Sequence, residues 1–280
     1  MATRLQERAM LATLSISRWT ARKFDRKTSD EVDRAHNAKD GGRFNKILVD
    51  KAHTRDLMAS GSSIREFHYR MTLPWDDEGP RLLPAKSYMT YTDTMRKMRA
   101  KDEELQRIFL NHYPHLVQEA RARLGSLYDP EDYPPVTDIG TKFDIRISMS
   151  PVPDADDFRV AVGEEAAAEI KASIEAESAS KFDNAMKDCY RRLHDTVKHI
   201  HETLSKDDPR IFDSLVSNAR ELVKCLPALN LTDDPVLEEL RTMLDAALPP
   251  TAIPLRMSKI TRKDVADDAA AILEKMRGFV

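Results

Sequence analysis

The chain has 280 residues, of which 32% are charged and 41% are hydrophobic. This length allows one large domain or two modest ones, with a core that needs no disulfide or metal. Two cysteines, eight glycines and 6% aromatic residues argue against a disulfide scaffold and against a large β-sandwich. No apolar run approaches the roughly 18 residues of a membrane span. The composition therefore indicates a soluble, mainly helical protein of a reducing compartment.

Charge is distributed unevenly along the chain. Residues 1–125 hold 24 Lys and Arg against 17 Asp and Glu, whereas residues 126–280 hold 20 against 30. One interpretation is a polyanion-binding face with an acidic counterpart. The other is a pair of oppositely charged layers that attract each other within one fold, or between copies in an oligomer.

The first 125 residues predict two strands and four helices. Leu14 and Ile16 alternate with hydroxyl residues, which is typical of a half-buried strand. Pro114 should end one helix and start the next, and Gly125 should end the second. Thr28 or Ser29 is the expected N-cap of the first helix. The predicted elements are strand 10–17, helix 28–39, helix 50–72, a short edge strand at 82–84, helix 88–113 and helix 115–124.

The middle of the chain predicts a β-hairpin. Residues 128–138 contain three prolines and form the best internal linker. Apolar residues then alternate with polar ones over 142–149, and again at Phe158, Val160 and Val162. We expect an antiparallel pair of 142–149 with 157–162, to which strand 10–17 adds a third member because a hairpin by itself is marginal.

The most regular element is a helix over 164–205, whose apolar positions step by three and four. At 1.5 Å per residue it is about 60 Å long, so its apolar stripe needs a long partner helix from this chain or from another copy. The residues of this seam are Phe182, Met186, Leu193, Val197, Ile200 and Leu204. Helices 210–226 and 235–247 follow, the second with Pro235 at its first position. A proline linker at 249–254 precedes a last amphipathic helix, 262–276, which docks on its own body or on a partner.

Together these patterns predict a mainly α fold of the α+β class, with a long helical hairpin or bundle and a small antiparallel sheet of two or three strands. We expect three regions. They are a basic, aromatic-rich region at 1–127, the β-hairpin with the helical bundle at 128–248, and the proline linker with the C-terminal helix at 249–280.

The strongest candidate for a binding segment mixes basic and aromatic residues. Cations on phosphates and aromatic rings under bases are the means by which proteins hold single-stranded nucleic acid. The alternative is that Trp19 and Phe24 are core anchors with basic neighbours that reach solvent. The candidate nucleic-acid-binding residues are Arg18, Trp19, Arg22, Lys23, Phe24, Arg26, Lys27 and Arg43.

The sequence contains no catalytic motif. Phosphate-binding, dinucleotide-binding and serine-hydrolase signatures are absent, so we assign no catalytic residue and no cofactor. Asp195, His199 and Glu202 share a helix face, but half of a metal site would be missing, so we expect a solvated face and no metal. Cys189 and Cys225 lie on apolar stripes and are expected to be packed thiols.

Three stretches resemble an uncharacterised protein family carried by bacteriophages and mobile elements. They are residues 14–20, residues 72–79 and the Ser-Pro-Val-Pro-Asp segment at 150–154 followed by 157–160. Genes of this family tend to lie near those of MoxR-type AAA ATPases and von Willebrand A-domain proteins. The resemblance spans about residues 10–245. It implies a setting in the cytoplasm of a bacterial host and an AAA ATPase as a protein partner, but it carries over no catalytic residue.

Two functions are favoured over a third, an enzyme acting on DNA or nucleotides, for which no catalytic constellation is visible. The first is a non-enzymatic interaction or assembly protein, which forms a homo-oligomer or docks on a partner protein through its long helices and the C-terminal helix. The second is a single-stranded nucleic-acid binding or annealing protein that uses the basic N-terminal half.

Overall fold

The computed structural model of the protein describes residues 5–158, 160 and 162–279. It is mainly helical with a small sheet, as predicted. The chain forms two compact units and crosses between them four times. Unit 1 comprises residues 1–13, 67–91 and 148–280, and unit 2 comprises 14–66 and 92–147. Each unit therefore takes residues from the predicted 1–127 region.

The helices are named α1 to α10 in chain order. They alternate with the strands in the first half of the chain and follow one another in the second half. Their bounds are α1 Leu5–Arg8, α2 Arg26–Ala35, α3 Lys51–Met71, α4 Tyr88–Leu124, α5 Val136–Gly140, α6 Glu164–Leu204, α7 Asp213–Leu229, α8 Pro235–Ala247, α9 Ile253–Met257 and α10 Lys259–Lys275.

The strands form a four-stranded and a two-stranded sheet. The order of the larger sheet is β4-β5-β1-β6, and β2 pairs antiparallel with β3 in the smaller one. The bounds are β1 Ala9–Ser17, β2 Arg22–Phe24, β3 Asn45–Ile47, β4 Leu73–Pro74, β5 Arg81–Pro84 and β6 Asp144–Ser150. The predicted edge strand at 82–84 is wrong in its position, because β5 lies between β4 and β1. The predicted two or three strands are likewise too few.

The predicted hairpin partner of β6 does not form. Residues 155–157 make a short 3-10 turn, and Val160 and Val162 are exposed outside any strand. Residues 159 and 161 lie outside the described residues. Strand β1 is the neighbour of β6 instead. The alternating apolar residues of 157–162 therefore do not indicate a strand with one buried face.

Several predicted boundaries also move. Helix α4 runs through Pro114 without a break, and Gly125 follows its end in the left-handed conformation, as a residue after a helix end often does. Asp25, rather than Thr28 or Ser29, caps α2 by accepting from the Thr28 amide. The segment predicted as a linker at 128–138 contributes the buried Asp132 to unit 2.

The core of unit 1 is built on α6. Helix α10 packs along α6, and α7 and α8 also pack against it. Leu193, Ile200, Leu226 and Ile272 are fully or almost fully buried in this core. The C-terminal helix therefore docks on its own chain. The segment that precedes it belongs to the same core, because Ala252 and Leu255 are buried as well.

The core of unit 2 is smaller and rich in aromatic residues. It joins the segment after β1, the start of α3, the second half of α4 and the segment 139–143. Trp19, Phe109, Tyr113 and Phe143 form its aromatic centre. Among the described residues, no helix is both long and apolar enough to cross a membrane.

Candidate functional site

Trp19, the expected stacking residue, is part of the core of unit 2. Its ring centroid lies 6.2 Å from that of Phe109 and 5.6 Å from that of Tyr113, and the side chain is buried. A nucleic-acid base cannot reach a ring in this position. The structure therefore places Trp19 where the alternative interpretation expected it, as a core anchor.

Arg18 is also committed to the fold. Its Nη2 donates to Oδ1 of the fully buried Asp102 at 2.7 Å, and Gln106 donates to the other oxygen of that carboxylate at 2.6 Å. Gly61 of α3 makes room for the guanidinium, because a Cβ at this position would lie 3.2 Å from Arg18 Nε. The Arg18–Asp102 pair thus ties the segment after β1 to α4 and leaves little room for a side chain at position 61 of α3.

Lys23 belongs to a network of charges around Asp132. Lys23 Nζ lies 2.8 Å from Asp132 Oδ1, and the buried Lys46 pairs with both Asp132 and Asp25. Burial lowers the pKa of Lys46, but hydrogen bonds and charges of the two carboxylates outweigh it and leave that pKa above its ordinary value. Burial likewise raises the pKa of Asp132, and the two lysines outweigh it, so that this pKa is lowered. Lys23 is half exposed, yet its charge is already balanced.

The other predicted residues remain on the surface. Arg22, Phe24, Arg26, Lys27 and Arg43 are all exposed. The guanidinium of Arg43 lies over the Phe24 ring, 5.9 Å from its centroid. Of the eight candidates, these five therefore stay accessible to an anionic ligand.

A groove that we call the α3 groove lies between the β2–β3 ladder and the first turns of α3. It has a volume of about 620 Å³. Its lining residues are Thr20, Arg22, Ile47, Val49, Lys51, Ala52, Thr54, Arg55 and Met58. The lining contains three cations and no carboxylate. Lys51 and Arg55 are not among the residues predicted to bind a ligand, although their spacing of four residues at the start of a predicted helix places them on one face.

The seam residues of α6 are covered by the same chain. Leu193, Val197, Ile200 and Leu204 are buried in the core of unit 1, against which Phe182 and Met186 pack as partly buried side chains. The long apolar stripe has its partner helices in α10, α7 and α8. The stripe itself is therefore not an accessible surface for a second copy.

A different apolar surface of unit 1 is accessible. We call it the α9 surface, and it consists of Phe212, Ile253, Met257 and Ile260, with exposed fractions of 65%, 55%, 83% and 76%. Ile253 and Met257 are four residues apart on α9 and so share a face. The C-terminal helix was predicted to dock, but these side chains, which precede or begin α10, were not predicted as part of a surface.

The position of Phe212 in the α9 surface is fixed by Arg256. Arg256 Nε donates to the Ile211 carbonyl at 2.8 Å, and its Nη2 donates to Asp213 Oδ1 at 2.9 Å. One guanidinium therefore holds the residues on both sides of Phe212 against α9. The turn from α9 into α10 is fixed in the same way, because Arg262 donates to the carbonyls of Leu255 and Arg256.

Two sets of side chains have the residue types that metal or thiol chemistry uses. His53, His112 and His115 gather near Glu119, but among the described residues no group of three ligands is suited to hold a metal ion. Cys189 is buried, and burial raises its pKa to about 12. Burial also raises the pKa of Cys225. Neither cysteine forms a disulfide.

Comparisons of the chain with protein-family models, with curated proteins and with solved structures find no match.

Proposed function

We propose that this protein is a non-enzymatic interaction and assembly protein that self-associates through the α9 surface. The observation that carries the proposal is the exposure of four large apolar side chains on α9 and on the two segments that are hydrogen-bonded to it, each more than half exposed. Single exposed apolar residues are normal on a protein surface, whereas a cluster of them marks an interaction site.

A second copy of the chain suits this surface. In a two-fold dimer the same patch lies on both sides, so the apolar side chains of one copy cover those of the other. Two of the charged residues beside it, Arg256 and Asp213, form an ion pair with each other. When the α9 surfaces of two copies meet, this pair therefore adds no net charge that would repel the other copy.

Light scattering on the purified chain at about 1 M salt, where the screening length of about 3 Å suppresses contacts between charged surfaces, tests the proposal over about 1 to 100 µM, a range that covers moderate dissociation constants. We expect the wild type to approach twice the mass of one chain. The double variant Met257→Asp, Ile260→Asp should keep the mass of one chain. Ile108→Asp is the matched control, since Ile108 is an exposed apolar residue of α4 in unit 2. A wild type that stays at the mass of one chain throughout contradicts the proposal.

The resemblance to the phage and mobile-element family extends this proposal to a protein partner. We propose a MoxR-type AAA ATPase in the cytoplasm of a bacterial host as a further ligand of the α9 surface. The support is the family resemblance together with the accessible apolar side chains. Loss of binding to a purified ATPase of this class in the Met257→Asp, Ile260→Asp variant, with binding retained by Ile108→Asp, is the expected result.

Single-stranded nucleic-acid binding is the second candidate function. The observation that favours it is the exposed Phe24 ring with Arg43 above it and Arg26 and Lys27 nearby in sequence. Affinity for a labelled oligonucleotide should fall as salt rises, with a slope of about −0.7 for each phosphate contact. Arg26→Ala and Arg43→Ala should reduce that slope, and Phe24→Ala should weaken binding by about 1–3 kcal/mol with little change in slope. Absence of binding at low salt removes this candidate.

A further inference from the structure

The α3 groove has an apolar floor and an unbalanced positive rim. Ile47, Val49 and Met58 are buried or half-buried aliphatic side chains of its lining. Among the described residues, Arg22 and Lys51 form no ion pair, and Arg55 lies 3.5 Å from the exposed Asp56, which is outside the lining. An occupant of the groove should therefore be anionic along its edges and aliphatic in the middle.

This combination favours an acidic helix over a strand of nucleic acid. No aromatic ring lines the groove, so it offers no platform on which bases could stack. Aliphatic floors with charged rims are typical of grooves that bind the apolar face of an amphipathic helix. The volume of about 620 Å³ is in the range of sites that take several side chains.

The first half of α6 has the matching chemistry. From Glu164 to residue 184 the helix contains no buried residue, although it continues into the core of unit 1. Residues 164–180 hold five glutamates against one lysine. Glu165, Glu169 and Glu175 form no ion pair among the described residues, and Ile170 is 36% exposed between them. This segment is an acidic helix without a buried residue; only near its end do Ile174, Glu175 and Ser178 line a pocket with residues 153–156 of the same unit.

We propose that the α3 groove of one copy binds the acidic first half of α6, residues 164–180, of a second copy. The argument is charge complementarity between three cations and the unpaired glutamates, with aliphatic side chains between them. This inference rests on the proposed self-association and adds a second contact to it. Since it joins two different surfaces, the contact is head-to-tail and lets more than two chains assemble.

Charge reversal in two variants tests the contact. Both are made on the Met257→Asp, Ile260→Asp chain, so that the α9 surface does not contribute. The groove variant carries Arg22→Glu, Lys51→Glu and Arg55→Glu. The helix variant carries Glu165→Lys, Glu169→Lys and Glu175→Lys. The matched control reverses three exposed cations of α2, Arg26, Lys27 and Arg34, to glutamate.

We expect the parent and the control to associate at about 0.1 M salt, where charges interact over about 10 Å. Each reversed variant should associate at least about tenfold more weakly, and an equimolar mixture of the two should regain the parental affinity, because each reversed surface again meets its opposite. At about 1 M salt, where the screening length falls to about 3 Å, association should be lost in all of them. Circular dichroism should show unchanged helix content, since every altered residue is exposed.

Three results would overturn the inference. The first is a parent chain that stays monomeric at low salt, and the second is a groove variant that associates as well as the parent. The third is an oligo-dT strand that binds the parent at micromolar concentration and loses binding on groove reversal, which would assign the groove to nucleic acid. The proposed function is judged separately, from the mass of the wild type and its dependence on Met257 and Ile260.

Discussion

Replacing Leu193 with alanine tests whether the long apolar stripe of α6 is covered within one chain. Leu193 is fully buried in the core of unit 1. The substitution removes three carbon atoms, which is about 2.4 kcal/mol of transfer free energy at about 0.8 kcal/mol each. The cavity that remains adds to this loss, so we expect the free energy of unfolding to fall by about 3–4 kcal/mol.

The assay is urea denaturation followed by circular dichroism at two protein concentrations about 50-fold apart, with Val236→Ala of α8 as the exposed control. Coverage within one chain makes the loss at Leu193 the same at both concentrations and leaves the oligomeric state unchanged. The control should change stability by less than about 0.5 kcal/mol. A Leu193→Ala protein that is as stable as the wild type, or one that only dissociates into stable single chains, would refute the packing of α6 described above.

Three further outcomes test the interior of the two units. Burial and the charge of Arg81 lower the pKa of His68 to about 4, and His68 Nδ1 lies 2.8 Å from the Tyr91 hydroxyl, so the folded state resists protonation. The free energy of unfolding should therefore fall by up to about 3 kcal/mol as pH drops from about 6.5 towards 4. Denaturation at several pH values measures this dependence, and His68→Gln should make the free energy of unfolding vary less with pH over this range. Gly61→Ala should lower the free energy of unfolding by about 1 kcal/mol despite the better helix propensity of alanine, because Arg18 is held in place by Asp102. Ser63→Ala on the same helix should not be destabilising, and a gain in stability at position 61 would contradict the crowding. Cys189 should react with a thiol reagent only on unfolding, so rapid labelling in the native state would argue against its burial.

Periodicity predicted the elements that are long and packed on one face. Helix α6 is found within one residue of its predicted bounds, and α3 and β1 also match. Pro114 was expected to break a helix because it lacks an amide donor and crowds the preceding turn. The helix continues because Phe109, Tyr113 and Leu116, on both sides of the proline, are buried in one core and hold the two halves together. Tertiary packing of this kind is not visible in a local pattern.

Pairing and burial were harder to predict than the elements themselves. The alternation at Phe158, Val160 and Val162 is a local pattern, and it predicted a strand that pairs with β6. Which strand pairs with β6 depends on distant parts of the chain. In the structure this neighbour is β1. The basic and aromatic segment at 18–27 posed the same problem. Its composition suits both a nucleic-acid surface and a core anchor with charged neighbours, and only the distances from Trp19 to Phe109 and Tyr113 separate the two.

The charge contrast along the sequence has a different meaning once the chain is folded. Because the units interleave, unit 2 holds 21 Lys and Arg against 18 Asp and Glu, and unit 1 holds 23 against 29. The contrast between the units is therefore smaller than that between the two halves of the sequence. Of the cations in unit 2, Arg18, Lys23 and Lys46 form ion pairs with carboxylates of the same unit. Of the cations that remain, Arg22, Lys51 and Arg55 line the α3 groove with no carboxylate among the lining residues. The salt dependence of any binding there should consequently reflect about three cations, and not the net charge of the chain.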